Sequence, residues 1–308
     1  MIAKKFVPVM LTPFQEGNSI DYKILEDLIE FYLEAGAGGL FANCLSSEMY
    51  QLTKEEMLAS VSFIVEKVNG RVPIVATGTF PDSIENQAAF VKEIYSTGID
   101  SVIVITSLLA GEEDSEEVFE ANVKQLLALT GDVPLGFYEC PVPYKRILSA
   151  AFLGELVETG RIRYHKDTCL DIDSVRDKIE ASKDAEDFAI YDAYMVHAVD
   201  SLKAGSAGLS CIQGNYFPEL VVWLCNHYDE DSEEVEKVEQ FFTENMSVMH
   251  DTYPASAKYI LEKRGLGFTQ VCRNGSKLKS KADYDNLDEL LSKFEELAEE
   301  INLNQNSL

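Results

Sequence analysis

The chain has 308 residues, with 26 Lys and Arg against 53 Asp and Glu, a formal net charge of -27. A content of 46% hydrophobic and 10% aromatic residues can build a large core, which excludes disorder for the chain as a whole. Such negative charge repels phosphate backbones and lipid headgroups, so no nucleic acid and no membrane is expected as a partner. Met1 to Phe6 shows neither a long apolar stretch nor a cleavage site, so no signal peptide is expected. Nor is there an apolar run of about 18 residues to span a membrane. The six cysteines, Cys44, Cys140, Cys169, Cys211, Cys225 and Cys272, are scattered without a CxxC pair. Reduced core thiols in a cytoplasmic protein are the expectation, with neither a zinc site nor a disulfide framework.

In chain order, short β-branched or apolar runs occupy Phe6–Thr12, Gly38–Cys44, Pro73–Thr79, Ser101–Thr106, Pro134–Glu139, Arg163–Thr168, Phe188–Asp192 and Ala207–Ile212. Stretches with helical spacing lie between most of them. Ile24, Leu25, Leu28, Ile29 and Tyr32 share one apolar face, and Val118, Val123, Leu126 and Leu127 share another. Capping boxes at Thr53/Glu56, Asp82/Glu85 and Asp114/Glu117 mark helix starts. Gly36, Gly70, Gly98, Gly131, Gly160 and Gly205 mark helix ends. Eight strands alternating with helices predict an α/β fold, a (β/α)8 TIM barrel. The rival is a doubly wound open sheet, but the first strand–helix turn lacks GxGxxG.

The pattern then changes. Asp229 to Glu239 holds seven acids and one lysine, which reads as a solvated linker or exposed helix face. Helical stretches follow at Val235–His250, Ala255–Arg264 and Leu287–Ile301, with a weak strand signal at Phe268–Cys272 and a polar, fraying end at Asn302–Leu308. The predicted division is a barrel over 1–225 carrying the site, and a small C-terminal helical appendage over 226–308.

In such barrels, chemistry sits where strands end. The second strand ends in Asn43-Cys44-Leu45-Ser46-Ser47-Glu48, the fifth in Phe137-Tyr138-Glu139-Cys140-Pro141, the sixth in Tyr164-His165-Lys166-Asp167-Thr168 and the seventh in Tyr191-Asp192. Lys166 stands out, because an ammonium desolvated at a strand end loses pKa and becomes a nucleophilic amine. The alternative is a salt bridge to Asp167 or another carboxylate at the mouth. Tyr138 ends the neighbouring strand and its phenol can approach Lys166; alternatively its hydroxyl faces water at the rim. Ser46 and Ser47 can hold a carboxylate, or cap the following helix. His165, on the opposite strand face, is expected to pack against a helix. There is no HExxH pattern and no closely spaced set of His and carboxylates, so neither metal nor other cofactor is expected.

Together these segments resemble the dihydrodipicolinate synthase / N-acetylneuraminate lyase family of class I Schiff-base aldolases. The resemblance runs over nearly the whole chain. It rests on Leu11-Thr12-Pro13-Phe14, Ser46-Ser47-Glu48, Ala76-Thr77-Gly78-Thr79, Phe137-Tyr138-Glu139-Cys140-Pro141, Lys166-Asp167, Gly208-Leu209-Ser210 before Asn215, and Pro254-Ala255-Ser256-Ala257-Lys258. It implies that Lys166 forms an iminium with a keto acid, that Tyr138 shuttles protons, and that Ser47 joins Tyr138 in the relay. It further implies that the Ser46 and Ser47 amides hold the keto-acid carboxylate and that Ser210 lines the pocket. Glu139, Tyr144 and Asp192 are candidate partners for substrate hydroxyls.

There are departures. The family's G-x-T-G-E loop has lost both glycines, and its P-Y-Y stretch reads Ser107-Leu108-Leu109. Pro143 stands where the synthases carry an arginine, leaving Lys145 or Arg146 as substitutes if the turn aims them inward. The expected function is a Schiff-base lyase or aldolase acting on pyruvate or a 2-keto-3-deoxy acid with an aldehyde partner. The alternatives are 4-hydroxy-tetrahydrodipicolinate synthase, using pyruvate and aspartate semialdehyde, a related dehydration or deamination through the same iminium, or a keto-acid-binding barrel without turnover. A homo-oligomer, tetramer or dimer, is expected, with Leu108 and Leu109 as an apolar patch.

Overall fold

The computed structural model describes residues 3–303. Eight parallel strands form one curled sheet: β1 (Lys5–Phe6), β2 (Leu40–Ala42), β3 (Ile74–Thr77), β4 (Ser101–Ile105), β5 (Leu135–Tyr138), β6 (Ile162–Asp167), β7 (Ala189–Asp192) and β8 (Gly208–Leu209). The order is β1-β8-β7-β6-β5-β4-β3-β2. Just past β1, Val9 forms an isolated parallel bridge to Phe41 of β2, with Met10 N–H donating to Phe41 O and Phe41 N–H to Pro8 O, each at 2.9 Å. The predicted first strand, Phe6–Thr12, is therefore mostly a bridged segment with little regular ladder.

Eight helices connect or follow the strands: α1 (Tyr22–Glu34), α2 (Lys54–Val68), α3 (Ile84–Tyr95), α4 (Glu116–Thr130), α5 (Ala150–Val157), α6 (Ile172–Ser182), α7 (Ala198–Ala204) and α8 (Pro218–His227). The tail adds α9 (Glu233–Glu244), α10 (Met246–His250), α11 (Ala255–Lys263) and α12 (Lys281–Glu300). Val235–His250 is thus two helices, broken at Asn245, and Phe268–Cys272 forms no strand. The predicted fraying at Asn302–Leu308 falls largely outside the described residues.

Two of the three capping expectations shift by one residue. Thr53 caps α2 in a reciprocal box with Glu56, at 3.2 and 3.0 Å. Ser83, however, caps α3 through its hydroxyl, while Asp82 bonds the Ser83 amide and the Asn86 side chain. Asp114 closes a turn on Gly111 N–H, and α4 begins after Ser115. Among the helix-ending glycines, Gly36 and Gly205 adopt φ of 93° and 121°, a region costly for any side chain.

The strands alternate between two apolar layers, as a pleat requires. Phe41, Val75, Ile103, Tyr138, Tyr164 and Tyr191 fill the interior of the curl. Leu40, Ile74, Val102, Phe137 and Ile190 pack outward against the helices, as does Ile162, which precedes a register shift between β5 and β6 that breaks the alternation before Tyr164. Gly136 makes room for the inner aromatics: a Cβ there would stand 2.7 Å from Ile103 Cδ1, Tyr164 Cβ and Tyr164 O. Among the described residues no helix is long and apolar enough to cross a membrane.

Candidate active site

At the C-terminal ends of the strands lies a cleft of about 650 Å³ with Lys166 and Tyr138 in its lining. Its walls come from the turns after β2, β5, β6, β7 and β8, and from the tail through Met246, His250, Tyr253 and Asn274. Tyr138 and Lys166 are register partners on adjacent strands, so both side chains leave the sheet on the inner face. The Lys166 ammonium stands 4.5 Å from the centroid of the Tyr138 ring.

Lys166 is 4% exposed and makes no ion pair among the described residues. Asp167, the sequence neighbour that could have neutralised it, points to the other face and binds Lys178. Burial pulls the Lys166 pKa below the ordinary lysine value, opposed only by the thiols of Cys44, Cys140 and Cys211. Tyr138 is buried too, which raises its phenol pKa well above the usual range and keeps it a proton donor. A hydroxyl at a wet rim is thereby excluded.

The other predicted residues divide. Ser46 lines the cleft, in a tight 3-10 turn at Leu45–Ser47. Ser47 is 2% exposed; its hydroxyl donates to Met10 O at 2.7 Å and accepts from Cys44 N–H at 3.0 Å, while its amide donates to Cys44 O. The structure therefore engages Ser47 in bracing the turn, away from any hydrogen bond with Tyr138. Ser210 is buried below the cleft, donating to Val7 O at 2.9 Å and accepting from the Tyr164 hydroxyl at 3.1 Å.

Glu139 and Asp192 are not brought to the mouth. Both follow an inward tyrosine by one residue, so the pleat turns them outward. Glu139 accepts from Lys178, Leu148 N–H and Thr168 N–H. Asp192 accepts from Tyr194 N–H and lies 2.9 Å from His197 Nε2. Tyr144 donates to Ala110 O, away from the cleft lining. Arg146 also points away: its guanidinium binds Glu116, Gly111 O and Asp114 O. Lys145 does reach the cleft, with Nζ 2.6 Å from Thr168 O. Leu109 is 1% exposed and belongs to the core, so the expected Leu108–Leu109 surface patch does not form.

Behind the two strand ends lies a charge cluster that sequence reading missed. Lys178 of α6 donates to Glu139 Oε1 at 2.5 Å and to Asp167 Oδ2 at 2.6 Å, with all three side chains at 1% exposure or less. His165 Nε2 joins them, 3.4 Å from Glu139 and 3.7 Å from Asp167. Glu139, His165 and Asp167 converge closely enough to ligate a cation, a grouping the sequence had not suggested, and the Lys178 ammonium supplies that positive charge. Burial opposes the charged forms of Asp167, His165 and Lys178. Even so, Asp167 is held well below the usual carboxylate range by the His165 hydrogen bond and the Lys178 charge. Against the same desolvation, bonds to Asp167 and Glu139 raise His165, and the two carboxylates raise Lys178.

A second buried pair ties the tail to the site. Lys258 of α11 donates to Glu48 Oε1 and to Val271 O, each at 2.7 Å, and Asn274 N–H donates to Glu48 Oε2 at 2.9 Å. Glu48 follows Ser47 directly and sits at φ 57°, so the turn after β2 is fixed from the tail.

A family model described as the dihydrodipicolinate synthetase family matches residues 3–294. A DapA-like lyase, uncharacterized, of Halobacterium salinarum is 27% identical over 261 residues, covering 84% of each chain. The 4-hydroxy-tetrahydrodipicolinate synthase of Bacillus subtilis is 25% identical over 274 residues, 85% of this chain and 89% of the other. Among solved structures, a monomeric dihydrodipicolinate synthase variant superposes with a TM-score of 0.85 at 19% identity, covering 96% and 97% of the two chains. YagE, a prophage protein of E. coli K12 in complex with pyruvate, gives 0.83 at 21% identity, covering 95% and 98%.

Proposed function

Since the chain belongs to the dihydrodipicolinate synthetase family, whose members are lyases, we propose that it is a Schiff-base lyase or aldolase acting on pyruvate or a 2-keto-3-deoxy acid. The observation that carries this reading is the buried Lys166 amine, without an ion pair among the described residues and 4.5 Å from the centroid of the Tyr138 ring. Neutral Lys166 attacks the keto carbon, and Tyr138 gives a proton to the leaving hydroxyl as the iminium forms. The iminium then accepts the electron pair of the bond that breaks. In this reading Ser46, which lines the cleft in the turn after β2, holds the keto-acid carboxylate.

This reading takes the chain through α8, two residues past the expected boundary at 225, as a closed (β/α)8 barrel, the helices after it as its appendage, and the working protein as a cytoplasmic homo-oligomer. Borohydride reduction with pyruvate, followed by peptide mass mapping, tests it. The expected result is one adduct, on Lys166, lost in Lys166→Ala and in Lys166→Arg, whose guanidinium does not deprotonate. An unmodified wild-type protein overturns it. The synthase reading has one observation in its favour: Lys145 in the cleft is a cation able to meet a second carboxylate.

A further inference from the structure

The cleft's upper walls bear on the half of the substrate that Lys166 does not hold. They are built from Tyr50, Val142, Leu170, Tyr194, Ile212 and Met246. No aspartate or glutamate lines the cleft among the described residues, because Glu139 and Asp192 are turned away and occupied. Of the polar groups that remain, three are committed to the protein. The Tyr50 hydroxyl donates to Val142 O at 3.1 Å, the Tyr253 hydroxyl accepts from Asn215, and the Thr168 hydroxyl donates to Glu139 O.

Leu170 adds an independent observation. It is 52% exposed at the rim and holds φ 66°, a left-handed conformation unfavourable for a branched side chain. The exposed apolar surface is removed from water if an apolar group packs over the leucine. Val142, 41% exposed, stands in the same lining.

We propose that the cleft takes an apolar group of aromatic size beyond the keto carbon, so that the partner is an aryl aldehyde and not a polyhydroxylated one. In the cleavage direction the substrate is a 4-hydroxy-2-keto acid bearing that group on C4. This rests on Lys166 being the Schiff-base lysine. Once the iminium has formed, the C4 hydroxyl gives up its proton to the Tyr138 oxygen and the C3–C4 bond breaks. Its electron pair passes into the iminium to leave an enamine, and the aldehyde departs. The enamine takes a proton on C3, and water hydrolyses the iminium to pyruvate and free Lys166. A sugar-like chain would surrender water from several hydroxyls to a lining that offers them no carboxylate, whereas a ring loses only unfavourable hydration.

The test compares kcat/KM for benzaldehyde and glyceraldehyde at saturating pyruvate, alongside borohydride labelling of the same protein with pyruvate alone. A preference for benzaldehyde of about tenfold or more is expected, shrinking by about tenfold in Tyr194→Ser and by a smaller factor in Leu170→Ser. The second variant changes an exposed side chain, so it reports even where the first is poorly folded. Equal or better use of glyceraldehyde with Lys166 labelled overturns this inference and leaves the Schiff-base reading standing. Absence of labelling overturns both, and because labelling needs no aldehyde the two failures are told apart.

Discussion

The inner and outer faces of β5 and β6 place two lysines in equally dry surroundings with opposite results. Lys166, on the inner face, is 4% exposed, and Lys178, reaching the outer face from α6, is 1% exposed. Lys166 has no carboxylate partner among the described residues and its pKa falls; Lys178 has two, and its pKa rises. Burial alone therefore does not make a lysine nucleophilic. The counter-charge decides, and the pleat assigns it: Tyr138 and Lys166 point in, while Glu139, His165 and Asp167, one residue away, point out.

The comparison is broken most completely by Lys166→Met. Turnover and borohydride trapping should vanish, while stability at neutral pH rises by about 1 kcal/mol or more, since an unpaired buried charge is replaced by an apolar side chain. The sign is fixed by the lowered folded pKa. Below the unfolded lysine value of about 10.4 the unfolded chain binds more protons than the native one, so wild-type stability climbs with pH in that window. The advantage of the variant should accordingly shrink between pH 7 and 10, as read by urea denaturation.

Tyr138→Phe comes next. It keeps the ring beside Lys166 and removes the proton donor, so turnover should fall by about 10²–10⁴ with little change in the denaturation midpoint. A variant as fast as the parent on the true substrate removes Tyr138 from the chemistry.

Lys178→Met should have the reverse profile to Lys166→Met, losing about 3–5 kcal/mol because Glu139 and Asp167 are left buried without a cation. Adding Glu139→Gln should restore part of that loss, and no coupling between the two would deny the cluster its role. The same cluster sets the acid limb. Asp167, depressed in the fold, contributes stability above its unfolded value of about 3.9 and loses it as the pH falls through its folded value. Asp167→Asn should flatten the acid unfolding curve below about pH 4.

The smallest effect is expected at Lys145. Lys145→Met should change kcat/KM for neutral aldehydes by less than about threefold, and for aspartate semialdehyde by about tenfold if its ammonium meets that carboxylate.

Much of this was legible in the sequence because strands and connecting helices write different periods. The predicted Pro134–Glu139 and Arg163–Thr168 lie within two residues of β5 and β6 at each end, and Lys166 and Tyr138 were found as strand-end residues. The alternation that placed Tyr138 and Tyr191 inward also implies that Glu139 and Asp192 face outward. Proximity to the strand end favours the mouth, but the pleat overrides it. Lys178 was not legible. It sits on a helix where a lysine ordinarily reads as solvated, and its partners lie 39 and 11 residues away in sequence. Nor could Met246 and His250 be assigned to a wall, since helical spacing in the tail says nothing about where the tail docks.

The Glu48–Lys258 contact also bears on when the protein becomes active. Its halves are 210 residues apart, which at a ribosomal rate of roughly 5–20 residues per second separates their appearance by roughly 10–40 s. Until Lys258 emerges, the Glu48 carboxylate keeps its hydration, and the turn holding Ser46 and Ser47 cannot settle into its dry seat. The nascent chain thus carries all eight strands and Lys166 well before it has a finished mouth. A polypeptide interrupted short of α11 is therefore expected to carry Lys166 on its strand but to leave Glu48 without its cation and the Ser46 turn unseated.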